Sequence, residues 1–424
     1  MKKLYILFSG ILIIGIACDT YDKELAKLEA ANPIPDPVIG DAGTLDFSNY
    51  ISVGNSLSAG FADGALYTDA QNQSFPMMFH QQLLNVSIDA GDFNQANINS
   101  QNGFSSMGND GTINGRFVLN LSTLAPEPTI GEAITDFSGD KTKLNNLAIP
   151  GMRMIDINSA ALVSNPYYER IAPQPGTSTV LDDAINKNAT FFTYWLGNND
   201  ILGYVIEGGV DASKISNQGE FQAAAQESIN ELVSGGAQGI VISLPLLVTI
   251  PYLNAVPYNA IALSDPNQVK QLNIAFSSFN QIVDVAIDQN FLNDSDTIRK
   301  VNYQIGANPI LMSDKDLKNL TPYLANLLEI GIINQVEYNL LNVYAQARPA
   351  SEKDRPLLTA GAVLGTGPSP TQLIGITDPA DDNLILSEKE TELLVGNRAL
   401  FNATIKEVVD GVNQSVGRNV ITFL

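Results

Sequence analysis

Short apolar runs and longer amphipathic segments alternate along this chain. Tyr50-Ile51-Ser52-Val53 is an apolar run that stops at Gly54-Asn55-Ser56-Leu57, as expected of a buried strand leaving into a turn. Residues 75–84 then carry helical spacing. A second, aromatic strand is predicted over 190–196. In 221–232, Phe221, Ala225, Ile229 and Leu232 share one helix face. Gly235-Gly236 breaks that helix, and residues 239–244 read as a third strand. A long helix is predicted over 269–291, with Leu272, Phe276, Phe279 and Val283 on one stripe. Residues 299–303 read as a fourth strand, 393–412 as a closing helix and 419–424 as a last short strand.

This order of strands and helices predicts an α/β fold with a mostly parallel sheet covered on both faces. In such sheets ligands bind at the carboxyl ends of the strands. Residues 304–380 read as a helical insertion, with helices over 315–330 and 336–346. No internal repeat is visible, so 46–424 is expected to form one elaborated domain.

The N-terminus has a different pattern. Lys2 and Lys3 precede an apolar run over 4–17, too short for the roughly 20 residues a membrane span needs. The run ends at Gly15-Ile16-Ala17-Cys18, and Cys18 is the only cysteine. This resembles a bacterial lipoprotein signal: residues 1–17 would be removed and Cys18 lipidated. The expected partner is then a membrane, reached through the lipid anchor. Residues 18–45 include Pro33, Pro35, Pro37, Gly40 and Gly43, and read as a flexible tether.

Composition narrows the function. The net charge is −22, with 23 Lys+Arg against 45 Asp+Glu. Nucleic-acid binding needs clustered cations, so no nucleic-acid partner is expected. One Cys and one His exclude a disulfide framework, Cys-rich zinc sites and multi-His metal sites. No metal or cofactor is expected. Apolar content of 45% against 16% charged residues marks a folded chain.

The candidate chemistry sits at the predicted strand ends. Ser56, flanked by Gly54 and Gly60, is expected near a helix N-terminus, where free N–H groups favour negative charge. That suits a nucleophile generating an oxyanion, although Ser after Gly is also an ordinary helix cap. In Gly197-Asn198-Asn199-Asp200, an Asn amide at a strand end can donate to that oxyanion; the same run also suits a polar turn. In Asn146-Leu147-Ala148-Ile149-Pro150-Gly151, the Gly151 N–H can do likewise, or the segment is a Pro-Gly turn.

Taken together, these blocks resemble the SGNH (GDSL-type) hydrolase family, and the overall wording resembles envelope lipoproteins of Bacteroidota in that family. The first block, Gly-Asp-Ser-Leu in the family, is Gly54-Asn55-Ser56-Leu57 here. The second maps to Gly151, and the third, Gly-x-Asn-Asp, is matched by Gly197, Asn199 and Asp200. The resemblance implies a three-layer α/β/α sandwich and hydrolysis of esters, often lipids or acylated sugars. Ser56 would be the nucleophile, with Gly151 and Asn199 as oxyanion donors. The implied location is the cell envelope, lipid-anchored at the outer membrane of a Gram-negative bacterium, on its periplasmic or surface face.

Two positions depart from the pattern. Asn55 replaces an Asp that shapes the turn, and Asn makes similar local hydrogen bonds. The last block, Asp-x-x-His before the closing helix, aligns with Asp382 and Ile385. Asp382 takes the acid position, and isoleucine stands where the general base belongs. The only histidine, His80, falls in the first helix after Ser56. Asp378, Asp381 or Asp382 would have to accept the proton, and an ordinary Asp is a roughly 3.5 kcal/mol poorer acceptor than His. Three functions follow as expectations: an attenuated ester hydrolase on a lipid or acylated substrate, a disabled acyl- or lipid-binding lipoprotein, or an envelope scaffold using the insertion as its contact surface. Phe104, Met107, Met152, Met154, Tyr204 and Tyr252 either border the pocket or fill the core. The sequence leaves the oligomeric state open.

Overall fold

A computed structural model describes residues 42–424 except 88, 123–124 and 370. Cys18, the predicted signal segment and most of the predicted tether lie outside the described residues.

Five strands form the central sheet: β1 (Tyr50–Gly54), β2 (Asn146–Ala148), β3 (Phe191–Trp195), β4 (Gln238–Val241) and β5 (Ile421–Phe423). Their order is β5-β4-β3-β1-β2, and every pairing is parallel. The helices used below are α1 (Ser56–Ala59), α2 (Phe75–Val86), α3 (Val180–Ile185), α4 (Asn199–Ile206), α5 (Gln218–Ser234), α6 (Pro266–Asp288), α7 (Thr321–Glu329), α8 (Gln335–Asn342) and α9 (Glu388–Val416).

β1 is buried along its whole length, as a strand covered on both faces must be. Its side chains alternate between two cores. Ile51 and Val53, with Phe192 and Tyr194 of β3, enter the larger core with α3, α4, α5 and α9. Phe221 of α5 stacks on Phe401 of α9 there, with ring centroids 4.0 Å apart. Tyr50 and Phe191 point the other way, into an aromatic layer with Phe47, Leu83 and Phe93 that α2 helps to cover. On that face the Tyr50 and Thr193 hydroxyls lie 2.8 Å apart, and Thr193 donates to Ser52 Oγ at 3.2 Å. The result is a mixed α/β fold: a parallel sheet flanked by helices.

The closing helix is longer than its apolar stripe suggests. Ser387 Oγ accepts from the Glu390 N–H and Glu390 Oε2 accepts from the Ser387 N–H, a reciprocal cap that starts α9 at Glu388. Gly417, at φ 73°, ends it.

A second core spans Ile261 to Ile385. It begins well before the expected insertion at 304, because α6 belongs to it. Phe276, Phe279, Val283 and Ala286 of α6 are buried among residues such as Val301, Leu324 and Tyr344 rather than against the sheet. The strand expected over 299–303 does not form. Residues Asp294–Arg299 make a 3-10 turn, and the fully buried Arg299 donates to Asp296 Oδ1 at 2.8 Å, Ala345 O at 3.1 Å and Lys318 O at 2.7 Å. Satisfying that guanidinium decides the local backbone. The helix expected from 315 starts at Thr321, and the one expected over 336–346 is α8. A three-stranded antiparallel sheet within 106–130 has no counterpart in the expected elements. Among the described residues no helix is long and apolar enough to cross a membrane.

Candidate functional site

Gly54 ends β1 level with Ala148 of β2 and Trp195 of β3. The chain leaves all three strands at one edge of the sheet, so Ser56, Gly151 and Asn199 emerge two, three and four residues beyond that level. A Cβ at Gly54 would lie 2.4 Å from Ser58 Oγ, so only glycine lets α1 fold back so closely on its own strand. Asn55 caps α1: its Oδ1 accepts from the Leu57 N–H at 3.3 Å. Asn55 therefore performs the turn-shaping role without a charge. Ser56 is half-buried, and its hydroxyl makes no hydrogen bond among the described residues.

β2 is tied to this turn twice. The Ile149 N–H donates to Gly54 O at 3.0 Å, and Asn146 Nδ2 donates to Ser58 O at 3.0 Å. Gly151 follows with φ 85°, a left-handed conformation that favours glycine. Asn165 Nδ2 fixes the preceding carbonyl, donating to Pro150 O at 2.8 Å.

The third block clamps the second. Asn199 Nδ2 donates to Met152 O at 2.9 Å, and Asp200 Oδ2 accepts from the Met154 N–H at 2.6 Å. Two adjacent residues at the start of α4 thus hold the 151–154 turn against β3. Met152 and Met154 are core residues, as is Tyr204. Sequence reasoning misses Asn165, which helps shape the site; its signal is the Asn165-Pro166 cap, where its Oδ1 accepts from the Tyr167 N–H at 3.0 Å.

Several buried polar atoms on these turns have no protein partner among the described residues: Asn55 Nδ2, Ser58 Oγ, both amide atoms of Asn198, and Asp200 Oδ1. Such atoms cost about 1–3 kcal/mol each unless something pairs with them. Burial pushes the Asp200 carboxyl up to about 6, with the Met154 N–H opposing. A raised carboxyl penalises the folded state above that pH and relieves it as the pH falls. The amide introduced by Asp200→Asn keeps an acceptor for the Met154 N–H. That variant should therefore lose ground to the native chain by roughly 2 kcal/mol between pH 8 and pH 4. Urea unfolding at both pH values measures this. A pH-independent difference would mean that the carboxylate is solvated.

His80 is elsewhere. It is buried on α2, its Nε2–H donates to Gly91 O at 2.7 Å, and its ring stacks on Phe93 with centroids 5.4 Å apart. Asp382 is not beside Ser56 either. Its segment presses on the far end of α4, where a Cβ on Gly208 would lie 2.3 Å from Asn383 O. The eight residues of α4 place that end roughly 12 Å along the helix from Asn199. Asp382 pairs with Lys315 Nζ at 3.3 Å, and Lys315 also pairs with Glu390 at 2.9 Å. Burial and the Glu390 carboxylate raise the Asp382 pKa against the pull of Lys315. Ile385 is fully buried in the second core, paired with Pro356 in a short ribbon. The strand ends thus gather Ser56, Gly151 and Asn199 at one edge, while His80 and Asp382 serve other parts of the molecule.

Among the described residues no group of His, Cys, Asp and Glu could hold a metal ion. The chain matches no protein-family model and no curated protein.

Proposed function

We propose that this chain is an SGNH-type ester hydrolase acting on a lipid or acylated substrate, with strongly attenuated turnover. Ser56 attacks the acyl carbon, and the Gly151 N–H with the Asn199 amide receives the oxyanion. The observation that carries the reading is the common level of Gly54, Ala148 and Trp195, which brings the three blocks to one sheet edge. The free, half-buried Ser56 hydroxyl supports it, because it leaves polar capacity for an incoming ligand. With Cys18 lipidated, the site would work at the cell envelope.

A second reading, binding an acyl ester without turnover, is favoured by two observations. The imidazole of His80 is committed to Gly91 O, and a buried isoleucine occupies position 385. A fluorophosphonate probe separates the two. The hydrolase reading expects slow labelling that falls at least tenfold in Ser56→Ala. Absent labelling, with an acyl lipid co-purifying, would replace it with the binding reading.

A further inference from the structure

The second core carries a slot that the Ser56 site does not use. Its volume is about 690 Å³, within the roughly 300–1,000 Å³ of small-molecule sites. One wall is α6, whose lining residues run from Gln268 to Val285, roughly 25 Å of helix. A second wall is the 332–344 segment containing α8, and the third is the loop over 371–377. The floor is apolar and buried: Phe276, Phe279, Leu341, Tyr344 and Ile376. Tyr344 meets both phenylalanine rings, with centroids 5.1 and 5.3 Å away. The loop wall is pinned from beneath, since Tyr344 Oη–H donates to Thr377 O at 2.7 Å and Tyr303 Oη–H donates to Ile376 O at 2.6 Å. The slot is therefore built before any ligand arrives.

Its charge pattern selects the occupant. Among the described residues no Lys, Arg or His lines it. The polar lining groups are neutral Gln, Ser, Thr and Tyr side chains, apart from Glu337. Glu337 is held in place because its Oε2 accepts from the Asn334 N–H at 2.8 Å, as part of the cap of α8. A carboxylate or phosphate head would meet a fixed negative charge in a chain of net charge −22. An extended apolar chain with an uncharged, hydrogen-bonding head matches the apolar floor and the neutral polar rim and avoids that repulsion.

We propose that this slot binds a neutral long-chain lipid, of the acylglycerol or fatty-alcohol class, and discriminates against free fatty acids. The inference stands on the slot alone and does not require Ser56 to react.

The test uses the purified full chain at pH 8 with two fluorescent probes of equal chain length, a monoacylglycerol and the free fatty acid. The monoacylglycerol should bind at least tenfold more tightly. Ala275→Trp and Ser278→Trp, both at exposed positions on the α6 wall, should each weaken it at least tenfold. Ser56→Ala should bind it as the native chain does. Glu337→Gln keeps the cap and should raise fatty-acid affinity several-fold while leaving monoacylglycerol binding unchanged. Equal affinity for the two probes would overturn the proposal. So would binding that survives both Trp variants, or no lipid binding combined with a dimer that either Trp variant dissolves. Failure here with Ser56 labelling intact, or the reverse, tells the two readings apart.

Discussion

Arg348→Ala should lower the folding free energy by about 3–5 kcal/mol, because it strands two buried carboxylates. Arg348 Nε donates to Asp314 Oδ2 at 2.6 Å, and its Nη1 and Nη2 donate to Asp354 at 2.7 and 2.8 Å. All three residues are buried. Asp354 also accepts from the Ser351 N–H at 2.6 Å and from the Glu388 N–H at 2.9 Å, the first residue of α9. This cluster joins the second core to the helix that closes the first. Burial alone would raise the Asp354 pKa, but the paired guanidinium holds it below its ordinary value. A lowered carboxyl gives stability that is complete above the ordinary pKa, about 4, and is lost as the pH falls through the folded value. The native chain should therefore lose this contribution only in acid, and the variant should lack it from neutral pH downward. Urea midpoints at pH 7 and pH 3 measure both effects. Lys353→Ala removes the solvent-exposed ion pair with Glu388 and should leave the urea midpoint nearly unchanged. Equal losses in the two variants would mean that the Arg348 cluster is not desolvated.

The parts of the fold legible in the sequence are those whose cause is local. The continuous apolar run of β1, the aromatic run of β3 and the stripe of α5 announce burial, and each element lies close to its expected place. Gly54 and Gly197 mark strand exits for the same reason. What a local pattern cannot choose is the partner. The stripe of α6 predicts a helix but cannot say which core it faces. Residues 299–303 look like a strand until the side chain of Arg299 finds carbonyls 19 and 46 residues away. The 106–130 sheet exposes Leu119, Leu121 and Ile130, so its pattern lacks the buried face that identifies a strand. At the site, the three blocks are legible as motifs. The clamp from Asn199 and Asp200 onto the 152–154 turn is not, because it joins residues more than 40 positions apart.

The hydrolase reading has its sharpest consequence in pH dependence. The Ser56-dependent part of p-nitrophenyl acetate hydrolysis, measured against Ser56→Ala, should rise with unit slope in log kcat/KM from pH 6 to pH 9, about a thousandfold in all. A serine hydrolase with an imidazole base levels off once that base is neutral. Here His80 donates to Gly91 O on α2, and Asp382 lies beyond the far end of α4 in an ion pair with Lys315. Asp378 and Asp381 belong to the same segment as Asp382, with Asp378 in the turn that carries Gly375, so on this reading hydroxide from solvent removes the Ser56 proton, and its concentration grows tenfold per pH unit. On the same reading the proposed oxyanion donors would still lower the barrier, so the slope should sit on a rate above background; losing the histidine of a working pair costs about a millionfold in turnover. Among the described residues, burial raises the Asp200 carboxyl beside the site to about 6. An inflection near that pH, lost in Asp200→Asn, would make Asp200 the acceptor and show that the protein supplies its own base. A plateau above pH 7 that survives Asp200→Asn would contradict the assignment of Ser56 as a nucleophile without an internal base.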